Sequence, residues 1–224
     1  MNTHKKGEHI KDLMLQQSDI EDEAFNSKVR NLISLLVNKI DLPNVNNFYA
    51  EDPNKCANLF TYFKEMYSLK PDFLFIGEAP GIKGCYLTGI PFTSERMINQ
   101  GISTQQIFKS SYLINGNQYE HSANIIWGEV KKLKRPPLFW NVMPLHPYKL
   151  NSGKIENRPP TKQEKEWGKE ILLKVIGIFP DVRIYSIGNH SKEALQEICI
   201  RSEGHLTHPR LAHKFREDFR KYFG

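Results

Sequence analysis

With 224 residues, 39% of them hydrophobic and 25% charged, the chain is long enough for one sizeable soluble core and short for two. No apolar run approaches the ~18 residues that suggest a membrane span, and Met1-Asn2-Thr3-His4-Lys5-Lys6 has no apolar stretch behind its charges, which argues against a secretory signal. Three cysteines, Cys56, Cys85 and Cys199, are odd in number and far apart, and read as reduced thiols of a cytoplasmic protein.

Residues 1–18 are polar and mixed, and read as a frayed or loosely attached helix. From Ile20 to Ile40 the apolar residues Phe25, Val29, Leu32, Ile33, Leu36 and Ile40 recur at three- and four-residue spacing, which predicts an amphipathic helix. Leu42-Pro43-Asn44 ends it. Residues 1–45 are therefore expected to form a helical extension packed on a main domain of residues 46–224. The next helix carries Leu59, Phe60, Phe63 and Tyr67 as an aromatic stripe, read as core.

Phe73 to Ile76 is a short continuous apolar run, the pattern of a strand buried on both faces. It stops at Gly77-Glu78-Ala79-Pro80-Gly81. A carboxylate is thus delivered to the carboxyl end of a strand, where open α/β sheets bind their ligands. Gly89-Ile90-Pro91-Phe92 then puts a ring on a proline-stiffened loop. Thr93 and Ser94 are expected to be exposed, with Ser94 capping a helix to Asn99. Gly101 to Gln118 reads as loop with a short helix. Ser122 to Leu133 is predicted helical, with Lys131, Lys132, Lys134 and Arg135 at the end where the macrodipole favours cations.

Leu138 to Met143 is the second buried strand. It holds Asn141, an amide that is costly there unless partnered. Pro144 to Pro160 reads as a long loop. Thr161-Lys162-Gln163-Glu164 is a capping box, opening a helix that ends near Pro180. Val182 to Ile187 is the third strand, and Gly188-Asn189-His190-Ser191 leads from it into a further helix. His205-Leu206-Thr207 makes a short fourth strand, and Arg210 to Phe223 the last helix. Strands alternating with helices predict a three-layer α/β/α fold, its central, mostly parallel four-stranded sheet covered by helices on both faces.

Charge is unevenly spread. Residues 131–165 hold 9 Lys/Arg against 2 Asp/Glu and residues 201–224 hold 6 against 3, whereas residues 1–130 hold 12 against 15. The basic blocks coincide with the second strand's loop and with the C-terminal His208-Pro209, as expected of a site that faces phosphates. A merely solvated basic surface is the alternative.

Three segments, in order, resemble the motifs of the uracil-DNA glycosylase superfamily. They are Gly77-Glu78-Ala79-Pro80-Gly81 with Gly89-Ile90-Pro91-Phe92, Asn141-Val142-Met143-Pro144 after a strand, and His208-Pro209-Arg210-Leu211. The resemblance spans roughly residues 46–223. It implies a monofunctional DNA glycosylase that flips out uracil, or a related pyrimidine, and hydrolyses its N-glycosidic bond. In that reading Glu78 orients or deprotonates water and His208 stabilises the leaving base. Phe92 stacks on the base and Asn141 reads its edge, with Gly77, Ala79 and Pro80 lining the pocket. Lys149, Lys154, Arg158 and Arg210 are expected on phosphates, and Leu211 as the wedge that fills the gap. Arg210 stands where several branches of the family carry Ser.

The branch with Gly-Glu-Ala-Pro-Gly often holds an iron–sulfur cluster on four cysteines. Three unpaired cysteines cannot supply it, so neither cofactor nor metal is expected. DNA is the expected partner, with no membrane, and the protein is expected to be a monomer. Two alternatives stay open. One is a glycosylase for a bulkier modified pyrimidine, such as occurs in phage DNA, its pocket shaped by Lys83 to Thr88. The other is a DNA-binding member without catalysis.

Overall fold

The computed structural model describes residues 22–39, 42–101, 107–108 and 111–224. The amino-terminal half runs through a helix over residues 22–37 (α1), β1 (Val45–Asn46), α2 (Phe48–Glu51), α3 (Pro53–Leu69), β2 (Phe73–Gly77), α4 (Cys85–Thr88), α5 (Glu95–Gln100) and α6 (His121–Val130). The carboxyl-terminal half adds β3 (Leu138–Asn141), β4 (His146–Asn151), β5 (Lys154–Asn157), α7 (Lys162–Ile178), β6 (Arg183–Ile187), α8 (Asn189–Glu197), β7 (Gly204–Leu206) and α9 (Ala212–Phe223).

Four strands form the central sheet in the order β3-β2-β6-β7, each neighbouring pair parallel. The middle strand β2 is apolar throughout because helices cover both faces, and β6 beside it is buried from Tyr185 to Ile187. Side chains alternate along β2, so Phe73 and Phe75 face one layer and Leu74 and Ile76 the other. On the first face Phe75 lies edge-on to Phe139 at 5.7 Å and to Phe219 of α9 at 6.5 Å, and Trp127 of α6 packs on Phe139 at 5.3 Å. On the second, Trp140 meets Phe63 of α3 at 5.6 Å, and Phe63 meets Phe179 behind α7 at 5.7 Å. Phe25 of α1 stacks on Tyr67 at 4.0 Å, and Val29, Leu32 and Leu36 sink into the same core. The three-layer α/β/α architecture agrees with the reading of the sequence.

Local signals act where they were read. Ser94 accepts from Met97 N at 3.3 Å to cap α5, and Thr161 and Glu164 complete the capping box of α7. Asp52, not singled out as a cap in the sequence, also caps α3 in front of Pro53, which loses no helical hydrogen bond at that first position.

Three expectations need correction. Residues 144–160 are not a loop: β1, β4 and β5 make a second, antiparallel sheet, and β4 and β5 are joined through Ser152 and Gly153, with φ of 48° and 77°. That is the left-handed pair of a tight two-residue hairpin. Thr93 and Ser94 are fully buried rather than exposed, since Thr93 Oγ1 bonds Thr88 Oγ1 at 2.7 Å and Ile90 O at 2.8 Å. The last helix starts at Ala212, because His208 to Leu211 close a turn in which Leu211 N donates to His208 O at 2.9 Å. Residues 1–18, Ile20, Ile40 and most of 102–110 lie outside the described residues. No helix among the described residues is long and apolar enough to cross a membrane.

Candidate active site

The carboxyl ends of β2, β3, β6 and β7 open into one cavity of about 550 Å³. The first and second motifs are laced together at its floor. Val142 N donates to Gly77 O and Met143 N to Glu78 O, both at 2.9 Å, which extends the β2–β3 pairing past the last residues of the strands. Gly77 is glycine for a local reason. A Cβ there would stand 2.4 Å from Phe92 Cζ and 2.6 Å from Asn141 Oδ1, so the ring and the amide converge over bare backbone.

Phe92 sits at φ 55°, a conformation that costs a bulky L-residue of order 1–3 kcal/mol and persists only when its surroundings over-determine it. Trp127 Nε1 donates to its carbonyl at 2.9 Å, and its ring rests on Phe139 at 5.2 Å. The loop is clamped from below by the Thr88–Thr93 hydroxyl pair.

Asn141 is 4% exposed and lines the cavity, yet its side-chain amide makes no hydrogen bond with any described residue. A buried amide that leaves its donor and acceptor unused on a cavity wall is placed for a ligand.

Glu78 is half-buried in the cavity wall. Burial pushes its carboxyl above the ordinary carboxylate range, while His190 and Lys165 nearby pull it back and Glu193 adds to the rise. His208 lies exposed on the rim, after β7, against Gly188, where an added Cβ would come within 3.2 Å of its ring. Its Nδ1 accepts from Arg210 N at 3.0 Å. An accepting Nδ1 leaves the proton of the neutral ring on Nε2, a free donor. Desolvation first, then Arg210 and His190, lowers its pKa and favours that neutral form.

Ala79 and Pro80 line the same wall, and Leu211, 51% exposed, stands at the rim beside Arg210, whose guanidinium pairs with no described residue. Lys149 and Lys154 lie outside the cavity on the β4–β5 hairpin, Lys149 at 3.4 Å from Glu156. Arg158 is different from what the sequence suggested. Its guanidinium is spent inside the protein: Nη1 and Nη2 fork onto Glu164 at 2.8 and 2.6 Å, and Nε donates to Tyr148 O at 3.1 Å. The remaining hydrogens go to the carbonyls of Pro159, Asn44 and Pro43. No donor is left for a phosphate, and Arg158 is withdrawn from the DNA-contact set.

Sequence reading missed His190, Ser122 and Glu120, which also line the cavity. The signal for His190 was available, since Gly188-Asn189-His190 follows the third strand as Gly77-Glu78 follows the first. For Ser122 and Glu120 there was none, because nothing local says that the start of α6 points inward. The donor set does not suit an iron–sulfur cluster. Of the three cysteines Cys85 is buried, with its thiol pushed up by desolvation, while Cys56 is partly buried and Cys199 exposed. Among the described residues no three His, Cys, Asp or Glu side chains gather as a metal site.

No curated protein matches the sequence. Among solved structures, the fold is similar to that of wild-type SMUG2 from Pedobacter heparinus, at TM-score 0.65 and 18% identity, over 88% of this chain and 94% of that one. The family model for the uracil DNA glycosylase superfamily matches residues 64–223, which take in all three motifs and every strand of the central sheet. The chain belongs to the uracil DNA glycosylase superfamily.

Proposed function

We propose that the protein is a monofunctional DNA glycosylase that hydrolyses the N-glycosidic bond of uracil, or a related pyrimidine, turned out of DNA into this cavity, and that it acts as a monomer. The observation that carries this reading is the buried, unpartnered amide of Asn141 set against the Phe92 ring over Gly77. A flipped base stacks on Phe92, an interaction worth ~1–3 kcal/mol. The Asn141 amide then donates to O4 and accepts from N3–H. Cytosine presents the reverse pattern at those two atoms, so one amide orientation separates the bases.

In the chemical step the C1′–N1 bond breaks and its electron pair leaves with the base. His208 Nε2–H donates to O2 as negative charge gathers there, as an oxyanion-hole donor does. Glu78 faces the sugar, steadies its positive charge, and takes the proton of the water whose oxygen bonds to C1′. The products are free base and an abasic site in an unbroken strand.

A second reading has one observation in its favour. Gly84 and Ser122 also line the cavity, a bare backbone and a hydroxyl that leave room and a polar group for a substituted ring. A panel of oligonucleotides with uracil, cytosine or 5-substituted uracils, assayed for alkali-labile sites, tests both readings. Excision of uracil that falls at least tenfold in Asn141→Asp is the expected result. Excision confined to substituted bases favours the second. DNA binding without excision of any base would overturn catalysis and leave a binding module.

A further inference from the structure

The β4–β5 hairpin carries two aliphatic side chains with no cover. Leu150 is 67% exposed and Ile155 45%, and the register sets them directly opposite each other. Alternation puts Tyr148, Leu150, Ile155 and Asn157 on one face of the hairpin. The other face holds the polar residues, where Glu156 accepts from Asn151 at 2.9 Å and pairs with Lys149 at 3.4 Å. The apolar face is the one turned to the cavity. Asn157 lines the cavity, and its Oδ1 bonds His146 Nε2 at 2.9 Å and accepts from Ile82 N, in the loop after Glu78, at 3.4 Å. Ile155 stands two residues farther out on that face, about 7 Å at ~3.4 Å per residue.

The hairpin is also stiff. Its turn is closed by two left-handed residues, and its base is held by the forked Arg158–Glu164 pair. The charge beside it selects an occupant. Lys149 and Lys154, next to the pair in sequence and on the opposite face of the same hairpin, belong to the block of residues 131–165, where Lys and Arg exceed Asp and Glu by 9 to 2.

We propose that this hairpin is a second apolar wedge, which places Leu150 and Ile155 against the base stack of duplex DNA beside the extruded nucleotide. The inference rests on the glycosylase reading for its DNA partner but not for its chemistry. Proteins that kink or open a duplex insert such residues between base steps, where they replace lost stacking. A single strand has no duplex to part, so the hairpin matters for duplex substrate alone.

The test compares the full-length wild type with the double variant Leu150→Thr/Ile155→Thr, which keeps strand propensity, after matching their melting temperatures. Expected is a loss of duplex uracil excision of roughly tenfold or more, with single-strand excision within about twofold of wild type. A 2-aminopurine placed beside the target uracil in a duplex should brighten with wild type and stay dim with the variant. That fluorescence separates the two ideas. If wild type excises nothing but still brightens the probe through Leu150 and Ile155, the glycosylase reading falls and the wedge stands. An unchanged duplex-to-single-strand ratio with unchanged fluorescence overturns the wedge. So does a wild-type dimer, seen by size exclusion, that the double variant dissolves, since the tip would then belong to a second copy.

Discussion

His208 and Glu78 are held in opposite ways, and the difference sets what each substitution does. His208 is oriented by a backbone N–H at Nδ1 and kept neutral by its surroundings. His208→Ala should therefore lower single-turnover excision roughly a hundred- to a thousandfold, with DNA affinity nearly unchanged, because the lost bond is made most strongly in the transition state. Glu78 has its pKa raised mainly by burial. The folded protein thus holds that proton more tightly than the unfolded chain does, and stability is lost as pH rises through the raised value. Glu78→Gln should melt no lower than wild type at neutral pH, the difference vanishing in acid, while excision falls ~100-fold or more. Thermal melts across a pH series check the first and single-turnover rates the second. The same signs fix the wild-type rate profile. Activity climbs from acid toward neutral as Glu78 ionises and His208 loses its charge, so a profile highest in acid would contradict both assignments.

Among the elements, the second antiparallel sheet is the one whose place in the molecule depends on a single side chain. Arg158 ties the end of β5 to the start of α7 and to the carbonyls before β1, and Glu164 beneath it is 3% exposed. Removing one partner of a buried pair strands the other's charge, at a cost of about 3–5 kcal/mol. Arg158→Ala should therefore lower the melting temperature sharply. Lys149→Ala, which breaks only an exposed pair, should cost ~0–1 kcal/mol. An Arg158→Ala protein of wild-type stability that had lost only DNA affinity would restore Arg158 to the phosphate contacts. The sheet also shows the limit of periodicity. The strands β2 and β3 are apolar runs that could be read off directly, and β6 shows the same core at Ile184, Tyr185 and Ile187, whereas β4 and β5 are short and mostly exposed, and the four prolines within residues 144–160 pointed to a loop.

Across the whole molecule the charge is arranged so that Lys149, Lys154 and Arg210 stand outside or on the rim of the cavity, while of the other charged residues in its lining, Glu78 apart, Glu120 caps α6 and Arg158 is paired with Glu164. Affinity for DNA should fall steeply with salt. Neutralising those three residues together should lower affinity for every sequence alike, and flatten the slope of log affinity against log salt by about 2–3. Fluorescence anisotropy at several salt concentrations measures it. A slope unchanged by the triple variant would remove this surface from the DNA contacts.

Some of this was determined within short stretches of chain. The strand at Phe73 to Ile76, the glycines and proline that end it, the cap at Ser94 and the capping box at Thr161 all follow from neighbours a few residues apart. So does the order of the three motifs that carried the family resemblance. The rest depended on which distant residues meet. The parallel order β3-β2-β6-β7 brings Glu78, Asn141, His190 and His208 to one end of the sheet. That same packing buries Thr93, which its sequence surroundings suggested was exposed. Arg158 looked in sequence like a basic residue on a charged loop. Tertiary structure alone made it internal, because its partners at 43, 44, 148 and 164 are set around it only once the hairpin has folded against α7. A hydrogen-bond donor is committed by the acceptors around it, and no local pattern records acceptors more than a hundred residues away.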